Sequence, residues 1–150
     1  MSKSAIRLLA VVVAGLAGLY AGAAGAAELK VLSTEAMRPI LQELAPAFEA
    51  ASKNKLVIAY ASDADAAKTV AADESIDIAI LTKAPMDKLV KSARILTDTK
   101  VLATGASPDL VYVVGSSFFT EQPLAATALL TFLAGPEAKK VYEAKGLKTS

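Results

Sequence analysis

The side chains able to do chemistry fall into a few short clusters. Ser33 and Thr34 follow one apolar run, Ser62 and Asp63 follow a second, and Thr82 ends a third. Each cluster stands where a helix is about to begin, so helix capping is the first role these residue types suggest. An oxygen of Ser, Thr or Asp accepts one of the unpaired amide protons of a first helical turn. Catalysis finds little to work with. The chain contains no His and no Cys, which removes the commonest general base, the usual partner of a nucleophilic Ser, the main transition-metal ligand and all thiolate chemistry. Lys83 beside Thr82 is the one pair to weigh, and adjacency alone makes no nucleophile and base. Asp63, Asp65, Asp73 and Glu74 lack the Asp-x-Asp-x-Asp-Gly loop and distal Glu of a calcium site, and read as a solvated acidic helix face. Lys83, Lys88, Lys91 and Arg94 recur at helical spacing as a solvated basic stripe. The expectation is a protein that is not an enzyme and carries no cofactor or metal.

Elements to position these residues are readable along the chain. Met1 to Ala26 reads as a secretory signal peptide: Lys3 and Arg7 form the basic start, Leu8 to Leu19 the apolar run, and Ala24-Gly25-Ala26 the small residues of a cleavage site. No Cys follows for a lipid anchor. The expected location is the periplasm. Removing residues 1–26 leaves 124 of the 150, with 14 basic against 15 acidic side chains. A chain so balanced has no electrostatic reason to bind nucleic acid or an acidic membrane surface. It is long enough for one domain with one core.

Within residues 27–150, Glu28–Leu32, Leu56–Tyr60 and Ile76–Leu81 are continuous apolar runs of strand length. Between them, Met37, Ile40, Leu41, Leu44, Ala47 and Phe48 recur at spacings of three and four, predicting a helix to about Ala51 with a kink or break near Leu44 caused by Pro46. A second helix runs from about Ala64 to Ala72, and a short third one passes through Met86, Leu89 and Val90. Alternation of apolar strands and helices predicts an α/β fold: a mainly parallel sheet with helices on both faces, in three layers. Thr99–Ala103 and Leu110–Val114 read as two further strands around a turn at residues 104–109. Leu124–Leu133 reads as a helix, stopped by Gly135 and Pro136, with a last helix capped by Gly146.

Three stretches resemble the extracytoplasmic solute-binding proteins of ABC transporters, the molybdate-binding type in particular. They are KVLSTEAMRPILQELAPAFEAAS, LVIAYASDADAAKTVAADESIDIAILTKAPMDKLVKSARI, and AATALLTFLAGPEAKKVYEAKGLK with its FL-x-x-P-E followed by K-G. The resemblance implies one lobe of a type II periplasmic binding protein. Such proteins leave the first lobe, build a second, and return; here a six-residue turn stands where the family places the second lobe, which is expected to be missing.

The resemblance also implies where a solute would sit, at the C-terminal ends of the strands where helix N-termini point outward. The candidate ligand-binding residues are therefore Ser33, Thr34, Ser62, Asp63 and Thr82. Ser62 matches the family's Ser-rich second loop, whereas Asp63 replaces a small neutral residue. Glu35, Asp63 and Asp65 near this mouth would repel an oxyanion: at ~4 Å and an effective dielectric near ~20 each contact costs about 4 kcal/mol, against ~1 from a helix terminus. The implied function is a periplasmic solute-binding module for a small polar solute or a molybdate-like oxyanion, working with an ABC permease or another envelope protein. The alternative is a single-lobe interaction or scaffold protein with no small ligand. Phe118 and Phe119, adjacent aromatics in a polar loop, are the expected surface for a partner or for a homodimer.

Overall fold

The structure, a computed structural model, describes residues 27–150, so the expected signal peptide lies outside the described residues. Strand β1 (Glu28–Thr34) leads through a single 3-10 turn (Glu35–Met37) into α1 (Arg38–Ser52). Then come β2 (Lys55–Ala61), α2 (Asp63–Ala72), β3 (Ile78–Thr82) and α3 (Lys83–Lys91). The hairpin of β4 (Lys100–Thr104) and β5 (Val111–Ser116) follows, and α4 (Pro123–Leu133) and α5 (Pro136–Ala144) close the chain.

The five strands form one sheet in the order β2-β1-β3-β5-β4. β1 pairs in parallel with β2 from Glu28↔Lys55 to Thr34↔Ala61, and with β3 from Val31↔Ile78 to Ser33↔Ile80. β5 runs antiparallel to β3, with Thr82 opposite Tyr112, and antiparallel to β4. Four strands thus share one direction and β5 alone opposes them. This is the mainly parallel, three-layer α/β arrangement that the alternating pattern implies, with one reversed strand supplied by the β4–β5 hairpin.

Strand alternation divides the apolar side chains between two layers. Val31, Ile80, Tyr112 and Val114 face α1, α4 and α5, where Leu41, Phe48, Leu129 and Leu133 meet them. Leu32, Ala79, Leu81 and Val113 face α2 and α3, where Val70, Met86 and Leu89 meet them. The α2 side is thin because α2 offers mostly alanines.

Two local expectations change. Helix α1 does not break near Leu44 but runs unbroken past Pro46 to Ser52. Pro46 lies on the solvent side, whereas Leu44 and Phe48 on either side of it are buried; anchoring both offsets a proline penalty of about 3 kcal/mol. The third strand begins at Ile78 rather than Ile76. Asp77 is buried before it, its carboxylate accepting the Lys30 amide at 2.9 Å and the Thr120 hydroxyl at 2.7 Å. The last helix ends as expected, with Gly146 at φ +87° just beyond it.

Tyr142 of α5 is the largest fully buried side chain, and its hydroxyl donates to the Leu133 carbonyl at the end of α4 at 2.6 Å. Burial pushes its ionisation well above the ordinary value of 10.0. The unfolded phenol ionises first, so this contribution to stability is complete below about pH 10 and is lost as pH rises beyond it. Tyr142→Phe should cost about 1–2 kcal/mol at neutral pH, because the Leu133 carbonyl loses its partner. It should also flatten the fall in stability above pH 10. Urea melts at neutral and alkaline pH check both; an alkaline slope identical to wild type contradicts this account.

Candidate functional site

The C-terminal ends of β1, β2 and β3 come to one edge of the sheet, and the starts of α1, α2 and α3 rise from them. The five residues expected there lie at these three ends, in three different roles. Ser33 is fully buried, and its hydroxyl donates to the Thr34 carbonyl at 2.9 Å. Thr34 is also buried and precedes the 3-10 turn without a side-chain capping bond, so the capping expected of Ser33 and Thr34 is not what their hydroxyls do. The tight turn, placed between β1 and α1, moves the helix start to Arg38. Ser62 does cap: its oxygen accepts the Asp65 amide of α2 at 3.2 Å.

Asp63 and Thr82 meet. One carboxylate oxygen of Asp63 accepts the Thr82 amide at 3.0 Å, and the other accepts the Thr82 hydroxyl. The carboxylate therefore spans from the start of α2 to the start of α3 and takes two donors that would otherwise face the mouth. Tyr112, opposite Thr82 on β5, joins this neighbourhood. Burial first, and the negative charge of Asp63 second, hold its ionisation above the ordinary tyrosine value. Nothing in the run LVYVV distinguished Tyr112 from a core residue.

The charges around the mouth are fewer than the sequence implies. Arg38 grips Glu35 through two bonds, Nε to Oε1 at 2.6 Å and Nη2 to Oε2 at 3.0 Å, which holds the Glu35 carboxyl below its usual range. The same guanidinium lies 4.4 Å from the centre of the Tyr60 ring. Glu35 is thus an ion pair at the rim rather than a bare charge, and Asp63 and Asp65 carry the remaining negative field. The other acids disperse: Asp73 is held by Ser75, and Glu74 faces Arg94 at 3.4 Å. Among the described residues no three carboxylates come close enough to hold a metal ion.

An open groove of about 700 Å³ runs between α2 and α3 with Asp63 at its head. Its floor is small and apolar, with Ala64, Ala67, Ala71, Ala84 and Pro85, and Lys68 and Lys88 stand on its rim. Phe118 and Phe119 lie elsewhere, beyond the end of β5, 58 % and 39 % exposed. Their rings pack edge to face at 5.6 Å and Arg94 sits 5.3 Å from the Phe119 ring. Among the described residues no helix is long and apolar enough to cross a membrane.

This arrangement, hydroxyls and a carboxylate at parallel strand ends with helix N-termini around them, is that of a binding fold. The chain belongs to the bacterial extracellular solute-binding proteins, whose family profile matches residues 29–108. No curated protein matches the chain by sequence. In fold it is similar to a transporter substrate-binding domain from Clostridium difficile, with a TM-score of 0.75 at 10 % identity, over 83 % of this chain and 99 % of that one. It is similar to the periplasmic molybdate-binding protein of Azotobacter vinelandii, with a TM-score of 0.74 at 10 % identity over 81 % and 99 %. It is also similar to the tungstate ABC transporter protein of Geobacter sulfurreducens, at 0.64 and 13 % over 78 % and 98 %. The sheet and helices are therefore those of the molybdate-binding type.

The tie between Asp63 and Thr82 has a measurable worth. Thr82→Val should cost about 1 kcal/mol, and Asp63→Ala, which strands both Thr82 donors, about 1–2 kcal/mol. Thermal melts should fall by about 4 °C per kcal/mol for a chain of this size. An Asp63→Ala protein that melts at or above the wild-type temperature shows that the bridge does not stabilise the fold.

Proposed function

We propose that this chain is the solute-binding component of an ABC transport system, acting in the periplasm, and that it takes a small polar solute at the strand-end mouth. The observation that carries this reading is the Asp63 carboxylate, set across two strand ends of a solute-binding fold at the head of an open groove. Asp63 also favours one class of solute. Thr82's amide and hydroxyl, the donors that an oxyanion would need at this end of the sheet, already serve a carboxylate. An incoming oxyanion has to displace that carboxylate or lie against it, and either is unfavourable by several kcal/mol at partly desolvated range. A solute that donates hydrogen bonds, through an amino or hydroxyl group, meets acceptor oxygens instead.

In the solved relatives the names specify molybdate and tungstate; the fold is shared with them, and Asp63 is where we place the difference in preference. Ser62, just before α2, adds a polar group beside Asp63, and the alanine floor between α2 and α3 accommodates an apolar portion of the solute. Where no solute binds, the exposed Phe118–Phe119 pair favours the second reading, an interaction module of the cell envelope.

The test is a thermal melt against molybdate, tungstate, sulfate, amino acids, polyols and small amines. A ligand at about 100 times its dissociation constant adds about 2.7 kcal/mol. Wild type should shift with a donor-bearing class and stay flat with the oxyanions, and Asp63→Ser should gain a response to oxyanions. A wild-type shift with molybdate overturns the assignment of class. A flat panel for both proteins overturns solute binding itself and leaves the interaction reading.

A further inference from the structure

The two edges of the sheet are treated differently. At β4 the C-terminal segment closes part of the edge, with Thr104 and Lys148 exchanging amide-to-carbonyl bonds of 2.8 Å. At the other edge, β2 pairs only with β1, and among the described residues no main chain pairs with its free side. β2 has seven residues, no proline and one lysine at its very start, and its Val57 is 45 % exposed. Long, weakly charged edges of this kind are templates for pairing with another strand.

Main-chain direction along β2 is fixed by two bonds. The Lys55 amide points inward, donating to the Ala27 carbonyl at 2.8 Å. The Leu56 amide points outward, away from β1, and donates to the Glu49 carboxylate of α1 at 3.2 Å. Alternation then places the amide and carbonyl groups of Leu56, Ile58 and Tyr60 on the free side.

We propose that β2 joins β2 of a second copy of this chain in antiparallel register about a two-fold axis at Ile58, extending the two sheets into one. This register sets Ile58 opposite Ile58 and Leu56 opposite Tyr60, so that every outward group finds an outward partner in about six main-chain hydrogen bonds. No shift by one residue does this, because it would set outward groups against inward ones.

Charge complementarity selects a second copy as the occupant. Arg38 lies against Tyr60 at one end of the strand and Glu49 reaches Leu56 at the other. The two-fold that sets Tyr60 opposite Leu56 therefore brings Arg38 of each copy beside Glu49 of the other. Pairing also gives the Leu56 amide a carbonyl, which frees Glu49 for that ion pair. On the strand termini the same axis sets the Lys53 end of one β2 beside the Asp63 end of the other. On the face away from α1, exposed Val57 packs against Ala59 of the second copy.

Sedimentation velocity on the purified protein over a range of concentrations reads the proposal. A reversible dimer is expected. Val57→Lys, which sets two added charges close to the axis, should raise its dissociation constant by at least about tenfold. Val101→Lys, at a 60 % exposed site on the opposite edge, should not change it. Arg38→Glu and Glu49→Arg should each weaken the dimer, and the double variant should restore it, a rescue that only a two-fold of this register gives. Circular dichroism confirms that each variant folds. A protein that stays monomeric into the millimolar range overturns the proposal. So does a dimer that ignores Val57→Lys, or one that dissociates on Phe118→Ser with Phe119→Ser instead.

Discussion

Strand β5 lies between β3 and β4 and runs against both, and the two apolar layers meet through it. Tyr112 and Val114 enter the layer beneath α1, α4 and α5, while Val113 between them enters the layer beneath α2 and α3. Each such side chain contributes about 2 kcal/mol by leaving water, and both layers lose their floor without the strand. Gly115 is part of this constraint. A β-carbon there would stand 2.5 Å from the Ile95 side chain, so the absence of a side chain lets the segment after α3 lie directly on the strand. That segment is then stitched down, with Leu96 donating to the Ser116 carbonyl at 2.9 Å. The register of β5 on β3 sets Thr82, the partner of Asp63, opposite Tyr112.

At the mouth, hydrogen bonding decides what charge counting alone leaves open. Three helices start around the strand ends, and helix starts favour negative charge. In this chain the negative charge is internal. Asp63 supplies a carboxylate to the start of α3, Asp65 lies in the first turn of α2, and Glu35 lies before α1. The hydroxyls are similarly engaged, with Ser33 turned to a carbonyl, Ser62 capping and Thr82 held by Asp63. The local field that would draw an anion from solvent is therefore largely satisfied from within, and the free acceptor capacity left at the rim belongs to carboxylates.

Much of the scaffold was legible because its signals are periodic. The apolar runs around Val31, Ile58 and Ile80 marked three parallel strands, and the spacing from Met37 to Phe48 marked the face of α1. What was missed depends on contacts between distant segments. Asp77 reads as a polar interruption of an apolar run, yet it is a buried clamp between Lys30 and Thr120, residues 47 and 43 positions away. Pro46 carries a local signal for a kink or break inside the predicted helix, and the helix runs on unbroken through it, with Leu44 and Phe48 buried on either side. The candidate site was legible as a set of strand-end polar residues, because that follows from topology. Its inner wiring was not: no spacing rule joins Asp63 to Thr82, 19 residues apart, or places Tyr112 in their field.

Arg38 links the mouth to the sheet edge. Its guanidinium neutralises Glu35 at the rim and covers the ring of Tyr60 on the outermost strand, so one side chain serves two surfaces. Both partners of the Arg38–Glu35 pair are about half exposed, so solvent screens the pair and lets it exchange readily. Anything that recruits Arg38 along the edge leaves Glu35 an uncompensated charge at the rim. The donor-bearing solute proposed above would gain from that charge, and an oxyanion would lose. By linkage, a solute that prefers the more negative mouth favours in turn whatever holds Arg38 at the edge. Such a coupling would need no movement of the backbone, because Glu35 follows directly on β1 and Tyr60 lies within β2, and only one long side chain has to choose between them.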